Sequence, residues 1–144
     1  MSQLPDVNVL LALVWPRHEG HAAAHAWFAK SGHRGWATNT LTQLGVFRLL
    51  TNPTITRGAV SAQTALDKIG EATRHPGHEF WKLDQEPAAA LREWAGALTG
   101  HGQWTDVMLL VHATERDGVL VTFDSGIKSL ASGDGGRVLL LKHG

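Results

Sequence analysis

Three aspartates in this 144-residue chain stand where a folded sheet could bring their carboxylates together. Asp6 follows a short strand-like stretch at the start of the chain, and Asp124 follows the apolar stretch from Val119 to Phe123. Asp106 lies at the start of a helical segment that leads into that stretch. Neighbouring carboxylates repel one another and take up protons unless a cation separates them, and Mg2+ or Mn2+ prefers such oxygen ligands. A divalent ion held in this way can polarise a phosphate and generate a hydroxide nucleophile, so the three acids predict phosphodiester hydrolysis.

Each aspartate also has a purely structural interpretation. Asp6 precedes an apolar helical run and Asp124 precedes a short helix, and aspartate is a favoured helix N-cap. Asp106 could simply complement a helix dipole. Taken singly, the structural role is favoured for each residue. Taken together, with the polar residues Asn8 and Thr122 close to two of them, the three acids indicate a site.

The order of the predicted elements explains why the acids are expected to converge. Strands are predicted at residues 3–6, 35–38, 78–83, 119–123 and 138–141, and helical segments separate them. Helices between single strands imply crossover connections and a parallel sheet covered on both faces. The predicted fold is therefore α/β, a three-layer αβα sandwich with a central parallel five-stranded sheet, in a single domain over residues 1–144. In such sheets the site lies beyond the carboxyl ends of the strands.

The helical segments are predicted from apolar periodicity and from capping residues. They cover residues 7–15, 19–31, 40–50, 62–74, 87–98, 106–116 and 125–131. Thr40 and Thr105 are the predicted caps of two of them, residues 54–60 are predicted to be a loop, and Gly133 to Gly136 a tight connection. The third helix is expected to bury Leu41, Leu44, Phe47 and Leu50.

Composition excludes several other kinds of protein. The chain has no cysteine, so disulfides, thiolate metal sites and cysteine nucleophiles are excluded. Thirteen basic residues balance thirteen acidic ones, so a polyanion would have to meet a local patch. The longest apolar run, from Val9 to Trp15, is too short to span a bilayer, and no secretory signal precedes it. We therefore expect a cytoplasmic protein without a membrane partner.

Four motifs in the chain resemble, in order, those of the PIN-domain family, especially the VapC-like toxins of bacterial toxin–antitoxin pairs. They run from Asp6 to Leu11, from Trp36 to Pro53, from Trp104 to Leu110 and from Leu120 to Asp124. The resemblance spans nearly the whole chain. It implies a PIN fold and an endoribonuclease that cleaves RNA phosphodiester bonds with Mg2+ or Mn2+. It also implies an antitoxin partner that covers the active site, and a homodimer.

The resemblance also implies roles for individual residues. Asp6, Asp106 and Asp124 would be the metal ligands, and Asn8 and Thr122 would position ligands or water. Where many PIN domains carry a glutamate, this chain has Gln43, which we expect at the edge of the pocket because Leu44 and Phe47 would take the buried face of its helix. A glutamine adds no charge and cannot act as a base. The alternative function is therefore a catalytically weak or inactive PIN-like binding protein.

Other polar residues support weaker hypotheses. Arg48 could contact RNA phosphates or antitoxin acids, and a solvated surface charge is an equal alternative. His18, His21 and His25 have helix-like spacing, and the last two could hold Zn2+, although a solvated or interface helix face is favoured. His112 is predicted to be a hydrogen-bonded core residue. An aspartyl-phosphate enzyme at Asp6 is a weaker rival, because its usual second acid is replaced by Asn8.

Overall fold

The computed structural model describes residues 2–58, 60–131 and 137–142. Its centre is a five-stranded sheet, ordered β3-β2-β1-β4-β5, in which each neighbouring pair is parallel. The strands are β1 Gln3–Pro5, β2 Trp36–Thr38, β3 His78–Phe80, β4 Val119–Thr122 and β5 Val138–Leu140. The first strand lies in the middle, and the strand order reverses between β1 and β4. Such a switch point is where an open α/β sheet forms a crevice.

Helices cover both faces of this sheet. They are α1 Val7–Val14, α2 His21–Lys30, α3 Thr40–Leu50, α4 Pro53–Thr56, α5 Ala62–Ala72, α6 Pro87–Ala90, α7 Trp104–Glu115 and α8 Ser125–Ala131. Successive strand residues face opposite sides. Leu120 of β4 packs in one cluster with Leu109 of α7, whereas Val121 packs in another with Val9 of α1. The predicted αβα sandwich is thereby confirmed. None of the helices in the described ranges is long and apolar enough to cross a membrane.

Two predicted helix caps are wrong. Asn39, and not Thr40, caps α3: its side chain accepts the N–H of Thr42, while the hydroxyl of Thr42 accepts the N–H of Asn39. Both Asn39 and Thr40 are favourable capping types, and the extended backbone at Asn39 decides between them. Helix α7 begins at Trp104, so Thr105 is already inside its first turn.

The buried face of α3 differs from the prediction at Leu44, whereas Leu50 is buried as predicted and Leu41 and Phe47 are partly buried. Leu44 is 53% exposed, and the buried residues of the helix are Thr42, Val46 and Leu50. Gly45 is the reason for this rotation, because it brings α3 against α1. A Cβ atom at Gly45 would lie 2.7 Å from the Cγ2 of Val7. Two helix backbones can approach this closely only where no side chain separates them.

Three other predicted boundaries change. Within the predicted loop at 54–60, residues up to Thr56 belong to α4, which Asn52 caps and Pro53 opens. The helix predicted at 87–98 is α-helical only as far as Ala90, and a 3-10 helix follows at Arg92–Trp94. The strand predicted at 78–83 ends at Phe80, and the N–H of the next residue makes its last bond to β2. The predicted connection at 133–136 lies outside the described residues.

Gly77 provides a sharp test of the packing around β2 and β3. A Cβ atom there would lie 2.2 Å from the backbone oxygen of His33, and the Gly77 carbonyl accepts the N–H of Trp36. Because backbone must move to admit a methyl group, we expect Gly77→Ala to lower the free energy of unfolding by about 2–3 kcal/mol. Urea unfolding followed by tryptophan fluorescence measures this.

The matched control is Gly70→Ala. Gly70 lies inside α5, and a Cβ atom there would meet nothing within 4 Å. We expect this change to raise the free energy of unfolding by about 0.5–1 kcal/mol, because alanine favours helix more than glycine does. An unchanged urea midpoint for Gly77→Ala would contradict the close approach.

Candidate active site

Asp6 follows β1 directly and is nearly inaccessible, with 4% of its surface exposed. Its backbone N–H bonds to the Val121 carbonyl at 2.9 Å, which extends the pairing of β1 with β4. One carboxylate oxygen, Oδ1, accepts the N–H of Val9 at 2.8 Å and so caps α1. The other oxygen, Oδ2, accepts the hydroxyl of Thr122 at 2.6 Å. Asp6 is therefore both a helix cap and part of a polar cluster.

Thr122 links the ends of the two central strands. It is the last residue of β4 and is fully buried. Its hydroxyl donates to Asp6 Oδ2 and accepts the backbone N–H of Asp124 at 3.0 Å. Asp124 in turn accepts the N–H of Gly126 at 2.8 Å, in the first turn of α8. One hydroxyl thus fixes Asp6 against the loop that carries Asp124.

Asp106 completes the group from the first turn of α7. Burial, followed by the negative charges of Asp6 and Asp124, raises its pKa to about 7. Burial also raises the pKa of Asp6 to about 6, against the opposing hydrogen bonds from Thr122 and Val9, and the charge of Asp124 adds to the rise. The structure therefore brings the three predicted aspartates close enough for their charges to act on one another.

The donor chemistry of this group fits a hard divalent cation. All three side chains offer carboxylate oxygens, and a cation between them would remove the repulsion among their negative charges. Among residues 2–58, 60–131 and 137–142, however, no group of three or more histidine, aspartate or glutamate side chains is placed to hold a metal ion directly. The three acids form an electrostatic cluster and not a closed set of ligands.

A cleft of about 470 Å3 opens beside Asp106. Its walls come from α1, α3, the segment after α3 and α7: Val7, Leu41, Leu44, Gly45, Arg48, Leu49, Asn52, Thr105 and Asp106. Arg48 thus lines the same cleft as Asp106 and is exposed, and its two predicted contacts stay predictions beside a solvated surface charge. The exposed face of Leu44 makes the cleft partly apolar.

Gln43 does not reach the wall of this cleft in the part of the chain that the structure describes. Its Nε2 donates to the Thr38 hydroxyl at 3.0 Å, and the same hydroxyl lies 2.8 Å from the Nε2 of His78. The expected place of Gln43 at the edge of the catalytic pocket stays a prediction, although Leu44, which was expected to face the core, is exposed. With Leu44 on the cleft side, Gln43 points toward β2 and β3.

Sequence reasoning missed the position of His18. The helix-like spacing of His18, His21 and His25 predicts one helix face for all three. Helix α2 begins only at His21, however, and His18 lies in the preceding turn. Its Nε2 is 2.9 Å from the Oδ1 of Asn8, which lies exposed in the first turn of α1. The signal that could have found it is Pro16, which ends α1 before His18.

His21, His25 and His112 also have structural partners. The rings of His21 and His25 are 4.1 Å apart, and they bond to the Ala12 carbonyl at 2.7 Å and the Leu13 carbonyl at 2.9 Å. They therefore join α2 to the last turn of α1, where carbonyls lack helical partners. His25 is also exposed, in agreement with the expected solvated or interface helix face, and His21 is partly buried. His112 is buried, as predicted, with its Nδ1 2.9 Å from the Asn39 amide.

Comparison with known proteins gives independent evidence. Residues 4–133 match the protein family described as PIN domain. The chain is 36% identical over 132 residues to Ribonuclease VapC39 of Mycobacterium tuberculosis, a match that covers 92% of this chain and 95% of that protein. It is 39% identical over 130 residues to Ribonuclease VapC29 of the same species, a match that covers 90% of this chain and 91% of that protein.

Solved structures agree with the fold. The structure of VapBC2 from Rickettsia felis, bound to a DNA fragment from their promoter, matches with a TM-score of 0.62 at 14% identity, over 99% of this chain and 100% of the other. The structure of FitAB bound to an IR36 DNA fragment matches with a TM-score of 0.65 at 15% identity. This match covers 96% of this chain and 94% of the other. Because the sequence identities are this low, these two structures support a shared fold and nothing further.

Proposed function

The chain belongs to the PIN-domain family, and we propose that it is a VapC-like toxin: a metal-dependent endoribonuclease, in one domain over residues 1–144, from a toxin–antitoxin pair. The observation that carries this proposal is the cluster of Asp6, Asp106 and Asp124 beyond the strand ends, where burial, with a further contribution from neighbouring negative charge, raises the pKa of Asp6 and of Asp106. The sequence likeness to VapC ribonucleases supports the same reaction.

Asp6, Asp106 and Asp124 would hold Mg2+ or Mn2+. Such an ion, when bound, supplies polarisation of the scissile phosphate and a more acidic water. Thr122 and the N–H of Val9 hold the carboxylate of Asp6 in a single orientation, so it is preorganised before substrate arrives. Without a bound cation, Asp106 can hold or release a proton near neutral pH because its pKa is raised to about 7, whereas a bound cation would favour its ionised form.

Arg48 and Asn8 are the proposed contacts outside the acid group. Arg48 lines the cleft that contains Asp106, and its guanidinium can bind a phosphate through two hydrogen bonds. Asn8 follows Asp6 by two residues and is exposed at the same edge of the sheet. Both can position RNA by its backbone, which carries no sequence information.

The proposed partners are an RNA strand, a cognate antitoxin and a second copy of the chain, in the cytoplasm. The cleft supports the antitoxin, because exposed Leu44 and Arg48 together suit a segment that carries apolar and acidic side chains. Two solved structures of the same fold, VapBC2 and FitAB, are complexes bound to DNA, and by analogy we propose a toxin–antitoxin pair for this chain.

An RNA cleavage assay tests the function. We expect a single-stranded RNA to be cut in the presence of Mg2+ or Mn2+, to stay intact with EDTA, and to be cut again when metal is restored in excess, because the carboxylates alone supply no Lewis acid. Denaturing gels measure the products. Asp124→Asn, purified in parallel, controls for contaminating ribonuclease. Asp67→Asn, on the exposed face of α5, shows the effect of removing a carboxylate outside the proposed site.

RNA left intact with either metal would overturn the enzyme proposal. That result would favour the alternative, a catalytically inactive PIN-like binding protein. The observation behind the alternative is Gln43, an amide where many relatives carry an acid, together with the open arrangement of the carboxylates.

A further inference from the structure

His18 has hydrogen bonds on both ring nitrogens, and together they define its tautomer. Its Nδ1 accepts the backbone N–H of Gly20 at 2.8 Å, and its Nε2 lies 2.9 Å from the Oδ1 of Asn8. A neutral imidazole carries one N–H, so a ring whose Nδ1 accepts must carry that hydrogen on Nε2. His18 therefore donates to Asn8, and the oxygen of the Asn8 amide must face the ring.

The turn that carries His18 is packed against the loop after β4. The His18 ring stacks on Phe123, with centroids 6.2 Å apart and planes 17° apart. A Cβ atom at Gly20 would lie 2.6 Å from the Cζ of Phe123, so only glycine allows the turn to come this close. Phe123 immediately precedes Asp124. His18 thus connects the residues that follow β1 with those that follow β4.

We propose that His18 is a positioning residue for the cleavage of RNA, which acts by fixing the amide of Asn8. Because the amide oxygen is bound to His18, the amide nitrogen is the group that Asn8 offers to a substrate. Its two N–H groups can donate to a phosphate oxygen of RNA. Without the donor at position 18 the amide can turn over and present an oxygen, which a phosphate repels. This role rests on the proposed ribonuclease function.

Two variants separate the hydrogen bond from the packing. His18→Phe keeps an aromatic ring against Phe123 and loses the N–H, whereas His18→Gln keeps a group that can donate to Asn8 and accept from Gly20. We expect His18→Phe to lower kcat/KM by about 10- to 100-fold, the usual cost of removing a group that orients an active-site residue. We expect His18→Gln to recover most of that loss. His33→Phe, an exposed histidine ahead of β2, is the matched control and should leave the rate unchanged.

A double-mutant cycle tests whether His18 acts through Asn8. We expect His18→Phe to have no further effect on kcat/KM in an Asn8→Ala background, whereas a residue that only stabilises the fold would have the same effect in both backgrounds. Nitrogen NMR of labelled protein gives a readout without RNA. We expect the His18 Nε2 to be protonated and its Nδ1 to be unprotonated.

The outcomes distinguish this role from the function on which it rests. Wild-type cleavage by His18→Phe would overturn the role and leave the ribonuclease proposal intact. An equal loss in the Asn8→Ala background, or a proton on Nδ1, would also overturn the role alone. A wild-type protein that cuts no RNA with Mg2+ or Mn2+ would overturn both proposals.

Discussion

Asp106→Asn is expected to abolish RNA cleavage and, at pH 8, to make the protein more stable. The cleavage rate should fall by about 1000-fold or more, equal to about 4 kcal/mol of barrier, because a proposed metal ligand loses its charge. The gain in stability has a separate cause. Burial and the charges of Asp6 and Asp124 raise the pKa of Asp106 to about 7, so its ionised form opposes folding.

The pH dependence of this gain follows from linkage. The pKa of Asp106 is about 7 in the fold and 3.8 for an unperturbed aspartate, so between these two pH values the folded state binds more protons than the unfolded state does. The ionised side chain therefore destabilises the fold fully above about pH 7, and the penalty disappears as pH falls toward 4. A shift of this size corresponds to about 4 kcal/mol, which solvent exposure of the half-buried side chain reduces to about 1–2 kcal/mol.

Urea unfolding at pH 8, 6 and 4, followed by the fluorescence of the six tryptophans, measures this effect. The difference between Asp106→Asn and wild type should shrink along that series. Asp67→Asn should show no such trend, because Asp67 is exposed and its neighbour is Gln63. In the presence of Mg2+, wild type should gain stability that the variant does not gain. A variant that is less stable than wild type at pH 8 would contradict the predicted charge repulsion.

Thr122→Val is the second change with a large expected effect. Valine fills nearly the same volume, so the change removes only the hydroxyl that joins Asp6 Oδ2 to the N–H of Asp124. Two buried or half-buried polar groups then lose their partner, and we expect the free energy of unfolding to fall by about 2–3 kcal/mol. RNA cleavage should fall by about 100-fold, because Asp6 is no longer held in one orientation.

Thr122→Ser is the control, since it keeps the hydroxyl and loses one methyl group. We expect it to cleave RNA at close to the wild-type rate, with a smaller loss of stability. Stability comes from urea unfolding and activity from the RNA gel assay, both at pH 8. Full cleavage by Thr122→Val would show that the orientation of Asp6 does not depend on this hydrogen bond.

The central sheet and its order of elements could be predicted from the sequence because they depend on local patterns. Short apolar stretches separated by helical segments specify parallel strands with crossover connections, and this pattern can be recognised without knowing how the helices pack. Asp6 and Asp124 follow two such strands, so their place at one edge of the sheet was fixed once the strands were recognised. The structure confirms the two strands, and it brings these acids together with Asp106.

The rotation of α3 could not be predicted, because a helical period alone does not say which neighbour a helix meets. Leu41, Leu44 and Phe47 form a plausible buried face in sequence. The close contact of Gly45 with Val7 turns Leu44 outward and Gln43 toward Thr38. One small residue at a helix crossing decides this, and its effect depends on the partner helix.

The carboxylates that could do chemistry were thus determined by the sequence alone, since strand-end position and residue type are local properties. The tertiary structure decided what surrounds them. It placed Thr122 between two of the acids, put Arg48 on the wall of the cleft, bonded Gln43 to Thr38 and brought His18 to Asn8. These contacts join residues that are far apart in the chain or lie on different elements, and their geometry depends on how those elements pack.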